Sequence, residues 1–177
     1  MRASEAPRLE TARLILRAHR DEDFAGAHRN WTDPDVYRFI TGEPSPERDS
    51  WKRILNYAGH WKMLGYGFWA IEDRASGDYL GEAGLMDFRR DIDPPLDAPE
   101  AGWVLRAPRG QGLAVEAMAE IFSWTDRQPG LARSHCLIHP DNAASIRVAE
   151  KLGFGERATI DFMGGPTVTM TRTAFSA

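Results

Sequence analysis

Two different spacings of apolar residues alternate along the chain, and each change of spacing marks an element. Leu14-Ile15-Leu16-Arg17, after Thr11-Ala12-Arg13, is a short β-compatible run, and Asp21-Glu22-Asp23 then places acids where a helix N-terminus favours them. Ser45-Pro46-Glu47 supplies a capping hydroxyl and a proline for the first turn of a second helix. Trp51, Ile54, Leu55, Ala58 and Trp61 follow at steps of three and four, which predicts that they form its apolar face. Phe68-Trp69-Ala70-Ile71 and Tyr79 to Phe88, joined across Ser76-Gly77, read as a β-hairpin. Residues 89 to 99 hold three prolines and cannot continue a strand, so a loop precedes the next strand, Ala101 to Leu105.

Beyond a break at Pro108 to Gly112, the pattern predicts a helix with Val115, Met118, Ala119 and Phe122 on one face. A strand over Ser134 to Ile138 leads through His139-Pro140-Asp141-Asn142 into a helix ending at Leu152, with Gly153 as its C-terminal stop. Strands around Ala158 to Phe162 and Thr167 to Thr171 close the chain. This order suits an α/β fold, a mixed sheet flanked by helices, better than a bundle or a sandwich.

Composition narrows the picture in three ways. A chain of 177 residues with 42% hydrophobic residues is expected to form one domain, residues 1–177, and to bury enough surface to fold without a staple. The single Cys136 and the absence of an apolar leader in MRASEAPRLE lead us to expect a cytoplasmic protein. No run is long enough to span a membrane, and the net charge of −4 with dispersed bases disfavours nucleic acid as a partner. The five histidines show no metal-like spacing, so no metal site is expected.

Chemistry concentrates at Arg109-Gly110-Gln111-Gly112-Leu113-Ala114, between a predicted strand and a predicted helix. Glycines there let the backbone approach a ligand, and the first N–H groups of the helix lack intrahelical partners and can cradle an anionic phosphate. A phosphate loop of the Lys-Ser/Thr type is excluded by Leu113-Ala114. A dinucleotide fingerprint fits poorly because Val115 fills its third small-residue slot, and a tight turn without a ligand stays open. Asn142 and Ser145, three apart in the first turn of the later helix, can face the same cleft.

Several segments together carry a resemblance. Arg109-x-x-Gly112-x-Ala114 after a strand is followed by Asn142-x-x-Ser145 and Glu150-Lys151-Leu152-Gly153-Phe154. The opening Leu9-Glu10-Thr11-Ala12-Arg13-Leu14-Ile15-Leu16-Arg17, the strand Gly81-Glu82-Ala83-Gly84-Leu85, and Glu100-x-Gly102-Trp103 complete the set. In order and spacing the chain resembles the GNAT N-acetyltransferase superfamily, and within it the branch of ribosomal-protein N-terminal acetyltransferases. The resemblance implies a mostly antiparallel sheet of six to seven strands flanked by about four helices, with one strand pair splayed to admit acetyl-CoA. It implies that the backbone from Arg109 through Gly110, Gln111, Gly112 and Leu113 to Ala114 holds the pyrophosphate. Trp103, Val104 and Leu105 would pair with the pantetheine amides, and Asn142 would bond the same arm or cap its helix, or do both.

The implied reaction is direct attack of a primary amine, on a protein N-terminus or a small molecule, on the thioester. Backbone N–H groups near Val104 are expected to polarise the carbonyl. Glu100 is the candidate base, with Asp87 and Asp161 as weaker ones. The phenol common in relatives is replaced by Ala149, so Ser145 is the candidate donor at the thiol, against a plain role in the helix's first turn. Ala149 also keeps open a non-catalytic acyl-CoA-binding domain of the same fold. Glu116 is expected to be structural. The acceptor is expected between residues 51–68 and the 161–167 turn, although Trp61, Tyr66, Phe68 and Trp69 read mainly as core. A monomer and a homodimer are both compatible with the sequence.

Overall fold

The computed structural model describes residues 3–93, 95–106 and 110–174. Eight strands form a mixed sheet: β1 (Leu9–Glu10), β2 (Leu14–Arg17), β3 (Phe68–Asp73), β4 (Tyr79–Met86), β5 (Glu100–Leu105), β6 (Arg133–Ile138), β7 (Gly155–Phe162) and β8 (Gly165–Thr173). Their spatial order is β1-β2-β3-β4-β5-β6-β8-β7. The eighth strand beyond expectation is β1, two residues folded back on β2 through Leu9↔Leu16. Every neighbouring pair is antiparallel except β5 and β6, which run parallel and meet at a single register, Glu100↔His135. Past that point the two strands diverge, and the sheet is split along its middle.

Among the described residues five α-helices cover the sheet: α1 (Phe24–Trp31), α2 (Pro34–Tyr37), α3 (Glu47–Leu64), α4 (Leu113–Thr125) and α5 (Ala143–Lys151). The four-residue α2, capped by Asp33 accepting from the Asp35 N–H, had no periodicity to announce it. On one face, Ala117, Met118, Ile121 and Phe122 of α4 pack with Leu16, Trp69, Ile71 and Leu85 of the sheet in the main core. On the other face a smaller cluster joins Tyr57 of α3 to Phe68 and Met86. The Arg17 guanidinium, 8% exposed, pairs with both oxygens of Asp23 at 2.8 Å and with Glu72 at 2.7 Å, which fixes the entry into α1.

Two helix faces differ from the expected ones. In α3 the buried residues are Ser50, Ile54, Tyr57 and Trp61; Trp51 and Leu55 are 39% and 53% exposed, and Ala58 is exposed. The sheet beneath α3 presents Glu82, a hydrogen-bonding group, so the helix turns Tyr57 inward, and Ser50 bonds His28 at 3.0 Å. In α4, Met118 and Phe122 face the core as expected, but Leu113, Ala117 and Ile121 join them, Val115 is half-buried and Ala119 is exposed. That helix is apolar on most sides, so several faces satisfy its periodicity and the position of the sheet chooses among them.

Candidate active site

The glycine turn stands at the open end of the split. Gly110 and Gly112 hold φ of +84° and +74°, in the left-handed region that side chains rarely adopt. Gly112 caps α4 without a side-chain acceptor, so the first N–H groups of that helix point outward unpartnered by a side chain. Arg109 lies outside the described residues. Across the split, Asn142 caps α5 by accepting the Ser145 N–H at 3.1 Å through Oδ1; among the described residues its amide N–H groups have no partner. The capping role of Asn142 is therefore observed.

A cleft of about 850 Å³ joins these parts. Trp103, Val104, Leu105, Gly110, Gln111, Gly112, Leu113, Ala114, Asn142 and Ser145 all line it. The side of α2 closes it in front: Asp33 pairs with Arg106 at 3.2 Å next to β5, and the Phe39 ring meets His139, next to β6, at 5.6 Å. The segment after α1 thus straddles the mouth of the split, which the sequence did not disclose. Arg147 and Lys151, four apart on α5, add two exposed cations to the lining.

The phase of the β5 backbone decides which groups face the split. Arg106 N–H donates to the Leu80 carbonyl at 2.8 Å, and β4 and β5 pair without a register shift. Antiparallel bonds recur at every second residue, so even-numbered residues of β5 turn their N–H and C=O groups to β4. Ala101, Trp103 and Leu105 turn theirs to the split, in phase with the Pro99 carbonyl that accepts from His135 N–H at 2.9 Å. The N–H groups near Val104 that face the split are accordingly those of Trp103 and Leu105, while its own is directed at Glu82 in the ladder.

Side chains follow the opposite rule, and Glu100, Gly102 and Val104 share the face covered by α1 and α3. A Cβ on Gly102 would lie 2.9 Å from the tip of Phe68, whose ring stacks on Tyr57 at 5.0 Å. Glu100 does not line the cleft but stands at the closed end of the split, 8% exposed. Both its oxygens are bonded by Arg90, from Nε at 2.5 Å and Nη2 at 2.9 Å. Arg90 in turn lies over Phe88 at 4.4 Å and Phe162 at 5.0 Å. Asp87 pairs with the exposed Arg89, and Asp161 is exposed at the β7–β8 edge; neither joins the cleft.

Opposite Val104, the carboxylate of Glu82 is fully buried and accepts from Trp31 Nε1 at 2.5 Å, Tyr57 at 3.3 Å and Tyr79. Burial pushes its pKa up despite those donors. A charged residue inside the apolar strand YLGEAGLM was the one visible signal of this network. Burial and, secondarily, the Glu100 charge push the Cys136 thiol up to about 12, so it is no nucleophile at neutral pH. Glu116 is partly buried, which raises its pKa, but hydrogen bonds from Thr11 at 2.6 Å and from Arg13 outweigh this and hold it below the usual carboxylate range. These bonds tie α4 to the β1–β2 corner. Among the described residues no three His, Cys, Asp or Glu side chains converge as metal ligands, and no helix is long and apolar enough to cross a membrane.

A split sheet with a helix start free of side-chain caps at its mouth marks a binding cleft for an extended, anionic ligand, and comparison with known proteins names the class. The acetyltransferase (GNAT) domain family matches residues 13–155, and the chain belongs to that family and is an acetyltransferase. The Bacillus subtilis (strain 168) protein YkkB, itself uncharacterised, is 29% identical over 172 residues, covering 96% of this chain and 97% of that one. A GnaT-family acetyltransferase structure from Bordetella pertussis is 32% identical with a TM-score of 0.81, covering 95% of this chain and 100% of that one. RimL, a ribosomal L7/L12 α-N-protein acetyltransferase solved with coenzyme A, shares the fold at 16% identity and a TM-score of 0.77, covering 95% of this chain and 98% of that one.

Proposed function

We propose that this protein moves an acetyl group from acetyl-CoA to a primary amine by direct attack, without a covalent enzyme intermediate. The observation that carries this reading is the β5–β6 split with the two positive-φ glycines at its open end. The coenzyme pyrophosphate sits on the α4 N-terminus, where orphan N–H groups and the helix dipole favour negative charge. Its pantetheine arm runs inward along β5 and takes the N–H and C=O groups of Trp103 and Leu105 as an added strand would, with Asn142 reaching from the other side. The RimL structure with coenzyme A, on the same fold, supports the choice of donor.

At the inner end a backbone N–H turned into the split polarises the thioester carbonyl. The amine attacks the carbonyl carbon, the C–S bond breaks, and the proton lost by the amine ends on the departing thiol. Each Glu100 oxygen accepts one Arg90 N–H and keeps a second lone pair, so the amine proton passes to it through water. The Ser145 hydroxyl, in the cleft lining, donates to the leaving sulphur and is reprotonated through water by the proton that Glu100 took from the amine, so both groups return to their starting state; Ala149 is fully buried and offers nothing there. The test is thermal unfolding with acetyl-CoA, coenzyme A, NAD and ATP, followed by an amine screen that reads free thiol. Ligand at about 100 times its Kd adds about 2.7 kcal/mol. Selective stabilisation by acetyl-CoA and coenzyme A is expected; stabilisation by NAD or ATP alone, or by none, overturns the donor assignment.

A further inference from the structure

Resting on that reading of the split, we propose that the Arg90–Glu100 pair is the anchoring site of the acceptor and selects an amine that also carries a carboxylate. The first support is position. With the phosphate end of the coenzyme at the glycine turn, its sulphur end points to the closed end of the split, where β5 and β6 meet at Glu100↔His135. The pair stands there, on the same face of β5 as Gly102 and Val104.

The second support is construction. Arg90 is fixed by two bonds to Glu100 and by the rings of Phe88 and Phe162, so little freedom is left to lose when it binds a further group. A guanidinium has five N–H donors, and Glu100 uses two. Among the described residues the outward Nη1 has no hydrogen-bond partner, and the Arg90 side chain is 27% exposed against 10% for Glu100. A planar, prepositioned fork with an open edge matches a carboxylate far better than a neutral group.

The third support is charge. Arg90 and Glu100 form a plus–minus pair, the complement of an ammonium next to a carboxylate. An acceptor bearing both groups places its amine toward the Glu100 oxygens and its carboxylate on the free edge of Arg90. A purely cationic amine gains nothing from Arg90 and is repelled by it. Phe88, 41% exposed, lies against Arg90 and offers apolar contact to the rest of the acceptor. The carboxylate can be that of a free α-amino acid or of an acidic side chain close to a peptide N-terminus, and the arms of the experiment separate these sources.

The experiment measures kcat/KM by thiol release at saturating acetyl-CoA for matched acceptors. One arm compares each standard amino acid with its amide and its decarboxylated amine; the other compares amidated peptides with Asp or Asn at positions one to three. Wild type is expected to favour the carboxylate member of at least one arm by about tenfold or more, the value of one charge-assisted contact. Arg90→Met is expected to cost the carboxylate member about tenfold more than its partner, with Arg90→Lys, which keeps the charge and loses the fork, in between. Stabilisation by coenzyme A in each variant shows that the donor site is folded.

Equal rates within every pair for wild type, or equal losses for both members on Arg90→Met, overturn the proposal and leave Arg90 as a counter-charge for Glu100. Bound acetyl-CoA with no turnover of any carboxylate-bearing amine also overturns it. Failure of acetyl-CoA and coenzyme A to stabilise the wild type is a different result, and defeats the donor reading itself.

Discussion

The ring of His19 packs 4.8 Å from Tyr57, and its Nε2 atom is buried without a hydrogen-bond partner. Burial outweighs the attraction of Asp23 and lowers the pKa from 6.5 to about 4. A base whose folded pKa lies below its unfolded value binds more protons when unfolded, so stability falls as pH drops from 6.5 toward 4. With those two values, the two-state linkage expression makes the loss about 2 kcal/mol at pH 5. Glu82 opposes it, because a carboxyl with a raised folded pKa gains protons on folding in the acid range and stability rises there as pH falls. Replacing His19 by Phe removes the first effect and retains the second. Urea unfolding of wild type and His19→Phe at pH 7 and pH 5 therefore isolates the histidine. The wild type should lose about 2 kcal/mol more than the variant over this interval, about 4–8 °C in Tm for a chain of this size. Parallel losses would refute the reasoning and show that water reaches the ring in the folded state.

Three further outcomes follow from the same geometry. Glu82→Ala leaves the buried donors of Trp31, Tyr57 and Tyr79 without an acceptor and should cost about 3–5 kcal/mol by denaturant unfolding, whereas Glu82→Gln, still an acceptor, should lose much less. Asn142→Ala removes the α5 cap, a loss of about 0.5–2 kcal/mol, and should also weaken acetyl-CoA binding in titration calorimetry; loss of stability alone would restrict Asn142 to capping. Ser145→Ala should lower kcat about tenfold or more with acetyl-CoA affinity kept, and an unchanged kcat removes Ser145 from the chemistry.

Local stretches carried their own structure wherever short-range geometry left one solution. Gly110 and Gly112 sit at positive φ, Gly153 stops α5 at +84°, and Asn142 caps α5 with the Ser145 N–H, each in a place read from neighbouring residues alone. The hairpin β3–β4 and the break in strand structure before β5 were legible for the same reason. The face of α3 was not, because the core took the hydrogen-bonding Ser50 and Tyr57 and left the more apolar Trp51 and Leu55 exposed. Hydrophobicity ranks residues, but only the opposing surface, here Glu82 and Phe68, says which of two adjacent stripes fits.

What the sequence determined by itself is the longer elements, the positive-φ glycine turn and the family, since all rest on spacings within a few residues and on their order. What only the tertiary structure decided is the pairing across distance. The ladder phase turned the backbone N–H and C=O of Val104 away from the split and those of Trp103 and Leu105 toward it. Arg90 met Glu100 across a proline loop, and Trp31, Tyr57 and Tyr79 converged on Glu82 from two helices and a strand. A charge in a sequence carries no mark of its partner. Burial forces each such group to find one, and which one it finds depends on how the layers come together.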